Sequence, residues 1–157
     1  MSDDLRELYQ EVILDHGRNP RNFRVLDAAT HRAHGHNPLC GDQLDVYLVL
    51  DDAGRVQDVA FKGRGCAISM ASASLMTEIM AGKSDAEAKA VFEHFHALCA
   101  GANGATTEAI APEDEERLQV MAGVRQFPMR VKCATLAWHT LRAAMKGARA
   151  ISTEDDA

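Results

Sequence analysis

A surplus of basic residues is missing from this chain: 17 Lys and Arg stand against 23 Asp and Glu, a formal net charge of −6. With a pI near 5.6, the sequence offers no electrostatic footprint for a phosphate backbone, which argues against a DNA-binding zinc module. No basic-then-apolar leader opens it, and no apolar run is long enough to cross a bilayer. The expected location is therefore cytoplasmic, with no nucleic-acid or membrane partner. Cysteine is scarce, with 4 in 157 residues, and the four are widely spaced. In a reducing compartment such thiols serve as ligands or nucleophiles more often than as disulfides. Internal repeats and a second domain are also absent. Residues 1–150 read as a single domain, long enough for a real core, and residues 151–157 as a frayed acidic tail.

What is present centres on Phe61-Lys62-Gly63-Arg64-Gly65-Cys66-Ala67-Ile68-Ser69. Val56, Val59 and Phe61 read as strand residues. Two glycines flanking Arg64 permit a tight turn, and Ala67 to Met80, free of Gly and Pro, reads as a well-buried helix. Cys66 then falls at the helix start, where free N–H groups and the dipole favour thiolate. Taken alone, a small core residue after a glycine turn would explain it better. Asn37-Pro38-Leu39-Cys40-Gly41-Asp42 adds a thiol and a carboxylate, and Arg130-Val131-Lys132-Cys133 places another cysteine at a helix start past Pro128. Cys40, Asp42, Cys66 and Cys133 together supply three thiolates and one carboxylate, the donor set of a closed tetrahedral zinc site.

Along the rest of the chain, Leu5, Leu8, Val12 and Ile13 predict a first helix ending near His16, with Gly17 as its stop. Arg18 to Asn22 is turn chemistry. A strand is favoured from Ala28 to Gly35, and His31, His34 and His36 there match no zinc spacing. Gln43–Leu50 and Arg55–Lys62 read as strands joined by the turn Asp51-Asp52-Ala53-Gly54. That hairpin returns Cys66 to the neighbourhood of Cys40 and Asp42. Ser84 can cap a third helix with Val91, Phe92, Phe95 and Leu98 on its apolar face. Cys99 shares that face and reads as a buried small hydrophobe rather than a ligand, while His94 and His96 are expected to point outward. Ala100 to Ala111 reads as a loop. Pro112 opens a helix whose acids Glu113 to Glu116 suit its dipole. Gln126-Phe127-Pro128 breaks the chain before a last helix, Val131–Met145. On it Trp138 is expected as a core or interface aromatic.

The three cysteine motifs, with Asp15-His16 and Asn19-Pro20-Arg21-Asn22, resemble the SufU branch of the IscU/NifU-like family of iron–sulfur assembly proteins, from about Leu5 to about Met145. The resemblance implies an α+β fold, a small antiparallel sheet packed against several helices, with the site at one exposed end. It implies a zinc protein that accepts persulfide sulfur from a SufS-type cysteine desulfurase, itself a pyridoxal-phosphate enzyme, and serves a downstream iron–sulfur assembly scaffold. Such a chain is a sulfurtransferase-like partner of that enzyme. Cys40 is then the acceptor, released from the metal when a histidine of the desulfurase takes its place. Asp42, Cys66 and Cys133 keep the zinc, Asp42 alternatively as an exchangeable ligand. Arg64, Arg130 and Lys132 offset the negative zinc–thiolate charge, and Arg130 matches a family position near the docking surface. The other branch of the family resembles a scaffold that holds an iron–sulfur cluster; it carries histidine where this chain has Lys132 and lacks the segment Gly101 to Phe127. A lysine ammonium has no lone pair for a metal, so Lys132 either compensates charge or is an exposed helix-start lysine.

Overall fold

The computed structural model describes residues 3–38, 41–100, 110–147 and 150–152. The element order is α1 (Asp3–Arg18), β1 (His31–Asn37), β2 (Asp42–Leu50), β3 (Val56–Arg64), α2 (Ala67–Met80) and α3 (Asp85–Ala100). Then come α4 (Pro112–Gln119), a 3-10 turn (Ala122–Gln126), α5 (Pro128–Met145) and β4 (Ala150–Ser152). The strands form one sheet in the order β3-β2-β1-β4, antiparallel except for the short β4, which runs parallel to β1. This is the expected α+β architecture.

Alternation in β2 decides which face of the sheet is covered. Leu44, Val46 and Leu48 are fully buried under the helices, with Val59 and Phe61 of β3 beside them. Tyr47 lies on the other face in a smaller cluster with Leu26 and Ala60. α5 is apolar nearly all round and lies at the centre of the protein, with Leu136, Ala137, Trp138, Leu141 and Ala144 buried. Trp138 is a core aromatic. Its ring stacks on Phe95 with centroids 4.4 Å apart, and its Nε1–H donates to Ser72 Oγ at 2.9 Å.

Several boundaries and contacts differ from expectation, each for a local reason. The helix α1 runs through Gly17 to Arg18. Gly17 is not the stop; it faces the start of α2, where a Cβ would just touch Ala67. The helix ends instead at Asn19-Pro20, because proline disfavours helix before it. β1 begins and ends later than expected, at His31 and Asn37, since Asn37 pairs with Asp42 across the turn. His34 meets Asp45 on the neighbouring strand at 3.2 Å. Ser84 caps α3 as expected, exchanging bonds with Glu87. α5 starts at Pro128, a residue suited to the first helical position.

His94 does not point outward. It is buried, and its Nε2 bonds Glu115 Oε2 of α4, with the 3-10 turn packed against α3. The acidic start of α4 is likewise more than a response to the dipole: buried Asp114 pairs with Lys83 at 2.8 Å. His96 does face solvent, stacked against Phe92. Cys99 is fully buried, and burial pushes its thiol up to about 12, as a small core residue requires. The loop expected over Ala100–Ala111 lies mostly outside the described residues. Ile151 and Ser152, expected in the frayed tail, pair with Gly35 and His36 as part of β4. The remainder, 153–157, is outside the described residues.

Candidate metal centre

Three elements deliver the cluster. The turn between β1 and β2 closes with Gly41 N–H on Asn37 C=O at 2.8 Å and Gly41 at φ +77°. Asp42 is thereby the first residue of β2, and it is buried. The β2–β3 ladder pairs Gln43 with Arg64, so the chain leaving β3 passes Asp42 two residues later. There the backbone must approach very closely. A Cβ on Gly63 would lie 2.2 Å from Gln43 C=O, and one on Gly65 would lie 2.6 Å from Asp42 Oδ1. Both glycines are needed for this approach.

Cys66 is the N-cap residue of α2, extended at φ −68° and ψ 167°, and its side chain makes no capping bond. Asp42 partly fills that role from outside the helix, accepting the Cys66 N–H on Oδ1 at 3.0 Å. The Cys66 sulfur is then free to face Asp42 Oδ2, 4.0 Å away. Cys133 enters from the second turn of α5 and is buried. Asn37 Nδ2 approaches its sulfur at 3.9 Å. One ligand atom each from Asp42, Cys66 and Cys133 lies within 4.8 Å of the others. Among the described residues this is the one grouping of three or more such side chains, so the histidines of β1 make none.

Of the residues singled out from sequence, the structure brings Asp42, Cys66 and Cys133 together. Cys40 lies outside the described residues. Arg130, exposed one turn before Cys133, hydrogen-bonds the Cys133 sulfur and feels the charge of Cys66 and Cys133, which hold its guanidinium more firmly protonated. Arg64 is exposed at the end of β3, and Lys132 is half-buried on α5. Asn37 was legible as part of its motif but carried no assigned role; its place opposite Asp42 follows from strand register alone. A cleft of about 490 Å³ between α1 and the 3-10 turn, lined by Tyr9, Ile13, Ile68, Val120, Phe127 and Arg130, also escaped the sequence. Phe127 and Met129 are exposed next to Arg130.

Fold and cluster thus define a small α+β protein built to hold two thiols and a carboxylate where a sheet end meets two helix starts. The chain belongs to the NifU-like N-terminal domain family, which it matches over residues 8–134, and its relatives place it in the SufU branch of the IscU/SufU group. It is 41% identical over 138 residues to the zinc-dependent sulfurtransferase SufU of Bacillus subtilis, covering 88% of this chain and 89% of that one. It is 37% identical over 142 residues to the iron–sulfur cluster assembly scaffold protein IscU of Streptococcus pyogenes, covering 90% and 85%. Among solved structures, one described as a SUF-system iron–sulfur assembly scaffold protein, SufU of Fervidobacterium islandicum, superposes with a TM-score of 0.78. Its identity is 31%, over 89% of this chain and 98% of that one.

Proposed function

We propose that this protein is a zinc-dependent sulfur acceptor that takes persulfide sulfur from a cysteine desulfurase for iron–sulfur cluster assembly. The observation that carries the reading is the convergence of Asp42, Cys66 and Cys133, with Arg130 against the sulfurs, in a chain similar to a zinc-dependent sulfurtransferase. The donors suit zinc. Two sulfurs and a carboxylate oxygen within 4.8 Å are close to the spacing of about 3.8 Å between thiolates on a tetrahedral ion with bonds near 2.3 Å. Cys40, beside Asp42 in sequence, is the fourth donor in this reading.

Zinc supplies no redox chemistry when bound and keeps its thiolate ligands deprotonated near neutral pH. The chain's own residues do the rest. Asp42, Cys66 and Cys133 retain the metal, and Arg130, Arg64 and Lys132 lower the cost of gathering anions. The Cys40 thiolate attacks the outer sulfur of the desulfurase persulfide. A bond forms between the Cys40 sulfur and that sulfur, the persulfide S–S bond breaks, and the desulfurase cysteine leaves as thiolate. Electrons balance without an added oxidant. Arg130, with Phe127 and Met129 exposed beside it, marks the face offered to the desulfurase.

A scaffold reading is favoured by the Streptococcus pyogenes relative, whose name is that of a cluster scaffold. Metal analysis of protein purified without added metal, followed by anaerobic cluster reconstitution and a zinc challenge, separates the two. The sulfur-acceptor reading expects about one zinc per chain and loss of any reconstituted cluster to zinc. A stoichiometric cluster that survives excess zinc and passes to an apo-acceptor would establish the scaffold instead.

A further inference from the structure

Ser69 lies in the first turn of α2, three residues after Cys66. It is fully buried, and its hydroxyl has no hydrogen-bond partner among the described residues. A serine or threonine further along a helix can bond the carbonyl one turn back. On α5, Thr135 and Thr140 do that, to Val131 and Leu136. The other buried hydroxyls of α2 are also bonded, Ser72 to Ala134 C=O and Thr77 to Ser74 C=O. Ser69 is the exception, and it stands at the metal-centre end of the helix. Buried polar groups without partners are rare enough that each calls for a reason.

Its surroundings supply one. A Cβ on Gly65 would lie 2.6 Å from Asp42 Oδ1 and 3.2 Å from Ser69 Cβ. The Asp42 carboxylate and the Ser69 side chain therefore border the same space beside Gly65, the space a side chain there would fill. Asp42 uses Oδ1 to accept the Cys66 N–H and turns Oδ2 toward the Cys66 sulfur. Each carboxylate oxygen can accept more than one hydrogen bond. A carboxylate that binds a metal through one oxygen is held in place by bonds to the other.

We propose that Ser69 is a positioning residue for Asp42: with metal bound, its Oγ–H donates to the Asp42 carboxylate and fixes that carboxylate as a ligand. The idea rests on the metal-centre reading above. Among the described residues the hydroxyl has no partner; the Asp42 carboxylate, held as a metal ligand, would supply one. Ser69 should therefore stabilise the metal-bound state specifically.

The test measures zinc affinity by chelator competition for the parent, Ser69→Ala, Asp42→Asn and the double variant, with the melting temperature of each metal-free protein. Ser69→Ala should melt, metal-free, at or above the parent temperature, yet bind zinc about 10-fold more weakly or worse. On the Asp42→Asn background the same change should cost little or no affinity. Cobalt loading gives a second readout, since Ser69→Ala should shift the ligand-field spectrum of the Co²⁺ protein. Affinity within about twofold of the parent and an unchanged cobalt spectrum overturn the proposal while leaving the metal centre standing. So does an affinity loss undiminished beside Asp42→Asn, or a fall in metal-free melting temperature, either of which marks Ser69 as a packing residue. A parent that competes for no zinc removes the metal centre itself, and the proposal with it.

Discussion

At its middle and far end, α2 bonds its buried hydroxyls within the chain; at its start the buried Ser69 hydroxyl has no partner among the described residues. Ser74 Oγ accepts the Arg21 N–H at 2.8 Å and lies 2.7 Å from His16 Nδ1, while His16 Nε2 faces Glu78 at 3.7 Å. Thr77 takes the Asn22 Nδ2–H, and Asn22 C=O takes the Phe61 N–H. This network is what the Asp15-His16 and Asn19–Asn22 motifs are for: they fasten α1 and the following turn to α2. At the start of the helix, Cys66 makes no cap bond, Ser69 Oγ has no partner among the described residues, and two thiols and a carboxylate gather instead. One end of the helix fastens the fold; the other carries the candidate metal centre.

The largest effects should come from breaking the end that carries the cysteines. Cys66→Ser and Cys133→Ser should each remove most of the bound zinc, whereas Cys99→Ser, fully buried and remote in role, should retain it; metal content per chain measures this directly. Chelation should lower the parent's melting temperature, since metal binding to a folded site adds to folding stability. At the structural end, Ser74→Ala should leave zinc content unchanged. It should destabilise the fold by about 1–3 kcal/mol, because it strands both the Arg21 N–H and His16 Nδ1. Urea unfolding of metal-free protein would show it.

The cysteine-bearing end of this division was legible in the sequence and the His16–Ser74 end was not, and the failures have a common origin. The β2–β3 hairpin and the start of α2 were readable because alternation, a glycine turn and an apolar run are local signals. The convergence of Asp42 with Cys66 followed from antiparallel pairing alone. Cys133 was placed near them by donor chemistry, not by any local pattern. His94 was misread because its partner, Glu115, lies 21 residues away on another helix, and nothing around His94 announces that α4 will bring it a carboxylate. Gly17 was read as a stop for the same reason: it answers to Ala67, not to its neighbours. The parallel pairing of β4 with β1 is equally non-local. Ser69 could not be singled out at all, because an unpartnered hydroxyl is visible only once every partner has been placed.

A smaller effect separates the two ends by pH. Burial, the first cause, then Arg21, holds the His16 pKa below its usual value of 6.5. The folded protein thus keeps His16 neutral where the unfolded chain would protonate it. Stability from this residue is fully present above about pH 6.5 and falls as pH drops through that value toward the lower folded pKa. Thermal melts of metal-depleted protein between pH 7.5 and 5.5 should show the decline, and His16→Asn should flatten it. Equal slopes would remove His16 from the network. Smaller still for the metal, Arg130→Ala should leave zinc content nearly intact while weakening binding to the desulfurase, as an exposed cation beside the sulfurs should.

The central claim of the proposed function is that Cys40 receives sulfur while the other donors stay in place. Zinc-loaded protein would be incubated with a cysteine desulfurase and cysteine, then analysed by intact-mass and peptide mass spectrometry without reductant. The account predicts a gain of one sulfur atom on Cys40, none on Cys99, and none anywhere in Cys40→Ala, with zinc still bound. A parent protein that stays unmodified beside a persulfide-loaded desulfurase, or that carries the sulfur on Cys66 or Cys133 instead, would contradict it.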